Sequence, residues 1–280
     1  MGNIVIITDS ACDLELNYIK ENNIILLPLT IEINGISYKD IIDLKPERFY
    51  DLIENKNVCP KTSSLKLCDF QRVFRRELDL GNEILYIGLS SNLSDTYSYA
   101  EKATDGLNIK KVCLVDSKTA AFGQGLLVKE AVKLVNEGLS LRDIRDHLEI
   151  LKDKLDYSVM INDIEVLERS GKISGIKAFA GEALNIKPII TVDDGRVNIL
   201  KKVKGTKSAM RFLLKRLNAF EVNEEYPIIV CYGADFELKE MMENRLREFN
   251  FNCKIESMQI GATIGSHTGK SGVGILFVRK

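Results

Sequence analysis

Short apolar runs and amphipathic stretches alternate along the first half of the chain. The runs at Asn3–Ile7 and Glu83–Leu89 are rich in β-branched and other apolar residues, and they predict buried strands. Leu67–Leu78 instead carries apolar residues at helical spacing, which predicts an amphipathic helix. Strands that alternate with helices favour right-handed crossovers and a largely parallel sheet. Ligands bind beyond the carboxyl ends of the strands in such sheets, so the polar turns after strands are the first places to search for a site.

The pattern changes near residue 160. Two strand-like runs, Ile189–Val192 and Val197–Val203, flank Asp194-Gly195, and this pair favours the type I′ turn of a β-hairpin. The strands and helices that follow no longer alternate strictly. We therefore predict an α/β protein of two domains. Residues 1–160 form an N-terminal α/β domain with a largely parallel sheet and flanking helices, and residues 161–280 form a C-terminal α+β domain with a mixed sheet.

Three local predictions concern single segments. Asp13 is expected near the N-cap of a helix that runs to Lys20. Ile24–Ile33 is expected to form one strand that Pro28 interrupts. The segment Ile260–Gly274 holds five glycines and one of the two histidines of the chain, and we expect it to form a polar, glycine-rich loop.

Composition excludes several classes of protein. The 280 residues are 45% hydrophobic and carry a net charge of −1, which suits a folded core and argues against general nucleic-acid binding. The six cysteines form neither a CxxC pair nor a zinc-ligand spacing, so we expect free thiols in a reducing cytoplasm and no metal. The chain shows neither a signal-peptide pattern nor an apolar run that could span a membrane. A cytoplasmic protein without integral membrane association is predicted.

Four turns that follow strand-like runs carry hydroxyl groups. Thr8-Asp9-Ser10 and Asp116-Ser117 are typical of ordinary turns after strands, and we do not expect them to bind a ligand. Thr62-Ser63 and Ser90-Ser91 are better ligand candidates, because a hydroxyl pair at a strand-to-helix turn lies beside the orphan amides of a helix N-terminus, which favour anions. Neither pair carries an arginine or lysine fork, as a phosphate site often would. Hydroxyls together with the imidazole of His267 suit a monocarboxylate.

The motifs of several common enzyme classes are incomplete. No GxSxG elbow is present, and GxGxxG is missing after the first strand, so neither a typical hydrolase nor a dinucleotide site is expected. Gly269-Lys270-Ser271 matches the end of a phosphate-binding loop, but Ile264 stands where its first glycine is required. A hydrolase or phosphotransferase that uses Ser91 and His267 on a small acyl substrate stays open as the alternative to a binding protein, since Asp9, Asp116 or Asp163 could lie near them in space.

Eight motifs in combination resemble the DegV family of bacterial fatty-acid-binding proteins, which includes the binding subunit of the fatty acid kinase system. They follow the family's order from end to end of the chain, so the combination is far more specific than any single motif. The motifs are Thr8-Asp9-Ser10-Ala11-Cys12-Asp13-Leu14, Lys61-Thr62-Ser63-Ser64, Leu89-Ser90-Ser91-Asn92-Leu93-Ser94, Val115-Asp116-Ser117 with Gly123-Gln124-Gly125, Leu167-Glu168-Arg169-Ser170-Gly171-Lys172-Ile173-Ser174, Asn185-Ile186-Lys187-Pro188-Ile189-Ile190, Lys204-Gly205-Thr206-Lys207 and Ile264-Gly265-Ser266-His267-Thr268-Gly269.

The resemblance implies a two-domain DegV-like fold in which a long-chain fatty acid lies in a tunnel between the domains. It implies that Thr62, Ser63, Ser91 and His267 hold the fatty acid carboxylate, with Ser90 as a neighbour of weaker support. The lipid is the only ligand implied, and no cofactor is expected. The chain departs from the family beside the head-group loops, because Asp95 stands where glycine is common and Lys270 stands where proline is common. These departures bear on chain preference and kinase docking more than on carboxylate binding.

The resemblance also implies a carrier rather than an enzyme. In the family a separate ATP-dependent kinase subunit phosphorylates the bound acid, and the binding protein carries the acyl-phosphate to an acceptor enzyme of phospholipid synthesis, with at most transient membrane contact. The densest basic cluster of this chain contains Arg169, Lys172, Lys202 and Lys204. A solvated hairpin face is the default interpretation of this cluster, and the alternative, which we hypothesise, is a docking patch for the kinase.

Overall fold

The computed structural model describes residues 3–54, 58–171 and 185–280. Contacts between residues divide the chain into two units. The first unit comprises Met1–Leu44, Lys61–Asp153 and Asp194–Arg196, and the second comprises Lys45–Pro60, Lys154–Asp193 and Val197–Lys280. The two units therefore interleave along the chain, and residue 160 lies inside the second.

The described residues form the following strands and helices. The strands are β1 (Ile4–Asp9), β2 (Ile25–Leu27), β3 (Thr30–Ile33), β4 (Ile36–Lys39), β5 (Lys61–Ser63), β6 (Glu83–Gly88), β7 (Val112–Asp116), β8 (Leu155–Ile161), β9 (Ile186–Asp193), β10 (Arg196–Lys204), β11 (Ile228–Tyr232), β12 (Ile255–Gln259) and β13 (Gly272–Val278). The helices are α1 (Leu16–Glu21), α2 (Pro46–Leu52), α3 (Leu67–Asp79), α4 (Thr96–Lys102), α5 (Phe122–Asn136), α6 (Leu141–Asp153), α7 (Ile164–Ser170), α8 (Thr206–Ala219), α9 (Phe236–Arg247) and α10 (Ala262–Thr268).

The first unit contains a parallel sheet in the order β2-β1-β6-β7. Each neighbouring pair is parallel, and β6 is buried along almost its whole length, as strands covered on both faces are. The prediction of a largely parallel N-terminal sheet is confirmed. Because the strands are parallel, β1, β6 and β7 end at one edge, where Gly88 pairs with Asp116 in register.

A three-stranded antiparallel sheet in the order β4-β3-β5 completes the strands of this unit. Asn34 and Gly35 connect β3 to β4 with positive φ at both residues, as a type I′ turn requires. The single strand predicted for Ile24–Ile33 is wrong. Proline has no backbone N–H to give to a ladder, and the chain leaves the parallel sheet at Pro28 and enters the antiparallel one as β3.

The second unit is built on a mixed sheet in the order β10-β9-β8-β13-β11-β12, which confirms the prediction for the C-terminal half. Its core is apolar and includes the fully buried Ile189, Leu213, Ile275 and Phe277. Asp194 and Gly195 both have positive φ, so the hairpin predicted from this pair is also confirmed. Among the described residues, no helix has the length and apolar character needed to cross a bilayer.

The helix predicted to run to Lys20 is present as α1, but its predicted cap is wrong, and so is the loop predicted for Ile260–Gly274. Asp13 has a left-handed backbone (φ 51°) after a short 3-10 turn, and α1 begins only after Glu15. The glycine-rich segment predicted as a loop contains the helix α10. A helix of seven residues is possible there because the segment packs against other elements of its unit, and tertiary packing overrides a weak local propensity.

Candidate functional site

A buried carboxylate organises the edge at which the central strands end. Asp9 is fully buried at the end of β1, and its Oδ2 accepts hydrogen bonds from the Tyr86 hydroxyl at 3.0 Å and the Leu89 amide at 2.9 Å. Its Oδ1 accepts from the Ala11 amide at 3.1 Å. Burial raises the pKa of Asp9 more than these donors lower it. The carboxylate thus fixes the start of the turn that follows β6.

Ser90, the next residue in that turn, is fully buried and has protein partners for its hydroxyl. The hydroxyl donates to the carbonyl of Gly195 at 2.8 Å and accepts from the amide of Asn92 at 3.2 Å. Asn92 Nδ2 in turn donates to the carbonyl of Asp194 at 2.8 Å. The hairpin tip Asp194–Arg196, which belongs to the first unit, is therefore held by the Ser90 turn.

Ser91 is exposed, and its hydroxyl meets an acid at the end of the neighbouring strand. Ser91 Oγ donates to Asp116 Oδ2 at 2.6 Å, and the Ser91 amide donates to Asp116 Oδ1 at 3.3 Å. The Lys118 amide donates to the same Oδ1 at 2.9 Å. A hydrogen bond of this length between a hydroxyl and a carboxylate belongs to the strong, charge-assisted class.

Thr62 and Ser63 belong to the edge strand β5, in the same unit as Ser91. Thr62 is half-buried opposite Ile31, and Ser63 is exposed opposite Thr30. The segments that follow the two predicted hydroxyl pairs meet, because Ser64 Oγ lies 2.9 Å from Ser94 Oγ, one residue after Ser63 and three residues after Ser91. Both pairs therefore lie in the first unit, next to segments that contact each other.

The predicted reason for anion binding at these hydroxyl pairs is wrong. Ser63 lies in a strand and α3 begins at Leu67, while α4 begins at Thr96, well after Ser91. Neither pair therefore lies in the first turn of a helix. Hydroxyl groups, rather than orphan helix amides, are the donors that these two segments offer to an anion.

His267 lies in the second unit, near the end of α10, and it is half-buried. The backbone of α10 packs closely against α2 at Gly265. A Cβ atom added at Gly265 would lie only 2.7 Å from Phe49 Cε1. The hydroxyl of Tyr50 also donates to the carbonyl of Ile260 at 3.0 Å. Gly265 thus allows the close approach of helix backbone and aromatic rings that fixes the position of His267 in its unit.

Three of the predicted docking residues are described, and all three are exposed in the second unit. Arg169 lies in the last turn of α7, whereas Lys202 and Lys204 lie on β10, an edge strand of the mixed sheet. Lysine on an edge strand also discourages pairing with other chains, so exposure alone does not identify a docking patch. Lys172, the fourth predicted residue, lies outside the described residues.

Asp116 is the acid that meets Ser91. The sequence favours ordinary turn chemistry for Asp116-Ser117 and names Asp116 only as one of three acids that could lie near Ser91, and the structure makes its carboxylate the partner of the Ser91 hydroxyl. The available signal was topological, since strands predicted to be parallel neighbours must end at the same edge. Within the described residues, no cluster of histidine, cysteine, aspartate and glutamate side chains could hold a metal ion.

Comparison with known proteins identifies the family. Residues 3–280 match the family model for DegV, described as an uncharacterised protein family. The chain belongs to the DegV family. A DegV domain-containing protein of Staphylococcus aureus (strain COL) is 33% identical over 279 residues, which cover 99% of each chain.

Solved DegV structures share the fold over the full length. A DegV family protein from Thermus thermophilus, described as fatty acid binding, is 27% identical with a TM-score of 0.89 and covers 99% of this chain and 100% of its own. DegV from Bacillus subtilis, described as a fatty acid binding protein, is 25% identical with a TM-score of 0.85 and full coverage of both chains. The parallel sheet, with its polar edge, and the mixed sheet are therefore the DegV fold.

Proposed function

We propose that this DegV protein binds a long-chain fatty acid and presents its carboxylate to a separate ATP-dependent kinase. The observation that carries the proposal is full-length similarity to a DegV protein described as fatty acid binding, at 27% identity and a TM-score of 0.89. The hydroxyls of Thr62, Ser63 and Ser91 in the first unit support it, because hydroxyl groups can hold an anion without neutralising its charge.

The proposed ligands of the carboxylate are Thr62, Ser63 and Ser91 of the first unit and His267 of the second. A lipid site between the two units is part of the proposal. Ser90 is better assigned to positioning, because its buried hydroxyl already donates to Gly195 and accepts from Asn92. A buried carboxylate must be hydrogen-bonded, so the ligand hydroxyls and the imidazole set the orientation of the lipid.

The hydrocarbon tail supplies most of the affinity in this proposal. Burial of one methylene is worth about 0.8 kcal/mol, so about 14 methylenes contribute on the order of 11 kcal/mol before the costs of association. Loss of one head-group hydrogen bond costs about 1 kcal/mol, which is a small part of that total. Head-group variants should therefore affect the chemistry at the carboxylate more than retention of the lipid.

The carrier role completes the proposal. The kinase would convert the bound acid to an acyl-phosphate, and an acceptor enzyme of phospholipid synthesis would receive it. The proposed kinase docking patch contains Arg169, Lys172, Lys202 and Lys204, since charge complementarity accelerates encounter between proteins. Reversal of Lys202 and Lys204 to glutamate should slow coupling to the kinase and leave lipid binding intact. Unchanged coupling would remove support for the patch.

A hydrolase or phosphotransferase that uses Ser91 is the second candidate. The short contact between Ser91 and Asp116 is the observation in its favour, because a carboxylate can accept the proton of an attacking hydroxyl. Full-length similarity to DegV proteins described as fatty acid binding gives the binding role the stronger support.

Native mass spectrometry of protein purified from cells tests the two candidates. A retained mass that denaturing extraction identifies as a long-chain fatty acid supports the carrier. Protein that retains no lipid, binds none when fatty acid is added and hydrolyses acyl esters supports the enzyme. Ser98→Ala is a matched control for Ser91→Ala, because Ser98 is a serine of the same unit whose hydroxyl donates only to the carbonyl of Asp95.

A further inference from the structure

The second unit carries a basic groove on its surface, between α8 and α9. Val273, Ile275 and Phe277 of β13 pack in one core with residues of both helices, and alternate residues of a strand face the same side. The two helices therefore lie side by side on one face of the mixed sheet. The groove between them has a volume of about 450 Å³. Its apolar floor is formed by Met210, Leu214, Met241 and Phe249.

A row of cations lines this groove along α8. Lys207, Arg211 and Lys215 are exposed and lie four residues apart, so they occupy one face of the helix at successive turns. None of the residues that the structure describes supplies an acidic side chain to pair with these three. The remaining cation of the groove, Arg245, is already paired with Glu248 at 3.2 Å. Like charges at this spacing repel one another, so the row weakens α8 unless an acidic partner neutralises it.

An acidic hollow of the opposite charge lies beyond the C-terminal end of α8. It has a volume of about 680 Å³, and its charged lining residues are Glu221, Glu224, Glu225 and Lys280. Glu221 is paired with Lys280 at 2.6 Å. Glu224 and Glu225 therefore remain as the two carboxylates of the hollow that have no cationic partner among the described residues. The same molecule thus presents unpaired cations in one depression and unpaired carboxylates in another.

The basic groove and the acidic hollow adjoin at a pair of aromatic rings. Phe249 lines the groove and Phe251 lines the hollow, and their rings stack with centroids 5.5 Å apart. Two complementary patches side by side can pair with themselves in a two-fold symmetric contact. Rotation about an axis that lies in the interface, between the patches, places each patch opposite the other one on the second copy. The net charge of −1 leaves no strong long-range repulsion between copies.

We infer that a second copy of this chain docks on the basic groove, so that the acidic hollow of each copy faces the groove of the other. The dimer is closed, since its two equal contacts use both patches of both copies. The axis passes near Phe249 and Phe251, whose rings supply apolar contact area, while the charged contacts fix the orientation of the copies. The dimer does not depend on the proposed lipid site, because no proposed carboxylate ligand lies on α8 or α9.

Analytical ultracentrifugation of the full chain, between about 10 µM and about 200 µM, covers the range in which a small, transient interface associates. The mass of wild-type protein at low salt should rise with concentration toward twice the 31.5 kDa of one chain. An increase of salt from about 50 mM to about 500 mM should weaken association about tenfold, because exposed charges are screened. These two measurements need no variant. Arg211→Glu/Lys215→Glu, the groove variant, and Glu224→Lys/Glu225→Lys, the hollow variant, should each be monomeric by itself.

A mixture of the two variants gives the sharpest test. Both contacts of a mixed dimer again join opposite charges, so equal amounts of the groove variant and the hollow variant should associate as wild-type protein does. Lys20→Glu/Lys110→Glu is the matched control, because it makes the same change of net charge at two exposed lysines of the first unit. The control should dimerise by itself. With a fluorophore on the hollow variant, it should form fewer mixed dimers than the groove variant does, since one contact then joins two positive patches.

Four results would overturn the inference. Wild-type protein that stays monomeric at about 200 µM would do so directly. Dimers that persist in the groove and hollow variants would place the interface on another surface. Equal numbers of mixed dimers with the groove variant and with the control would show that net charge alone drives association. Monomeric wild-type protein that sediments with phosphatidylglycerol vesicles, and loses this binding in the groove variant, would assign the groove to a lipid surface instead.

Discussion

The contact between Ser90 and the hairpin tip allows a sharp test of how the polar turn is held. Gly195 has φ +75°, and a Cβ at this residue would overlap the Ser90 hydroxyl and lie 3.2 Å from Asn92 Nδ2. Gly195→Ala should therefore separate the tip from the turn and break the hydrogen bond from Ser90 to the Gly195 carbonyl. The turn should then open more often, because Ser90 also supports the amides that follow it.

The expected magnitude follows from the burial of Ser90. A buried hydroxyl that loses its acceptor costs about 1–3 kcal/mol. Since 1.4 kcal/mol is a factor of ten, the local opening equilibrium should rise about 5- to 150-fold. The amides that report this opening are those of Asn92, which donates to Ser90 Oγ, and of Leu93 and Ser94, which donate to the Ser90 carbonyl.

Hydrogen–deuterium exchange of the segment that contains Asn92–Ser94 measures the opening directly. Gly35→Ala is the matched control, because Gly35 also holds the second position of a two-residue hairpin turn at φ +80° and has open space around it. Both variants bear the same backbone strain, of about 1–2 kcal/mol, and only Gly195→Ala meets the Ser90 turn. Unchanged protection of Asn92–Ser94 in Gly195→Ala, or an equal loss in Gly35→Ala, would refute the reasoning.

Three further predictions concern the buried acid, the helix α10 and the head group. Burial raises the pKa of Asp9 above 3.8, so the stability that Asp9 contributes is complete below about pH 3.8 and is lost as pH rises through the pKa of the folded state. Asp9→Asn should therefore reduce the decrease of the urea unfolding midpoint with rising pH. An unchanged pH dependence of the midpoint would contradict this. Gly265→Ala should destabilise the chain by about 1–3 kcal/mol in thermal unfolding, since its Cβ would lie 2.7 Å from a Phe49 ring carbon, and no loss would show that the ring yields freely. His267→Ala should lower acyl-phosphate yield more than lipid binding, with His147→Ala as the control that removes the other imidazole, and equal losses in both assays would contradict this division.

The sequence predicts the sheets well because burial leaves a strong periodic pattern. Continuous apolar runs mark the strands of the parallel sheet, and Asp194-Gly195 marks the β9–β10 hairpin of the mixed sheet through its turn chemistry. The helix α10 is less predictable from the sequence. The segment Ile260–Gly274, which contains it, has five glycines, and glycine disfavours helix formation. Its formation depends on Phe49 and Tyr50, which are distant in sequence and fit against Gly265.

Roles within the polar turn could not be predicted for a different reason. Ser90 and Ser91 are adjacent and chemically identical, yet the first is fully buried and the second is exposed. Which of them faces the protein depends on where Gly195 and Asp116 lie, and both partners come from other elements. A motif can therefore locate a hydroxyl pair but cannot divide its members between holding the scaffold and meeting a ligand.

The division of roles between Ser90 and Ser91 bears on how hydroxyls at this edge of the sheet could serve a carboxylate. A hydroxyl offers one proton, so its use depends on which acceptor takes that proton. Asp9 holds the Leu89 amide and Ser90 holds the hairpin tip, and these contacts leave Ser91 as the exposed member of the turn, with Asp116 as the acceptor of its hydroxyl proton. An acid that binds at Ser91 must therefore compete with Asp116 for that proton, so a carboxylate that need not touch the lipid bears on how well the turn serves as a donor.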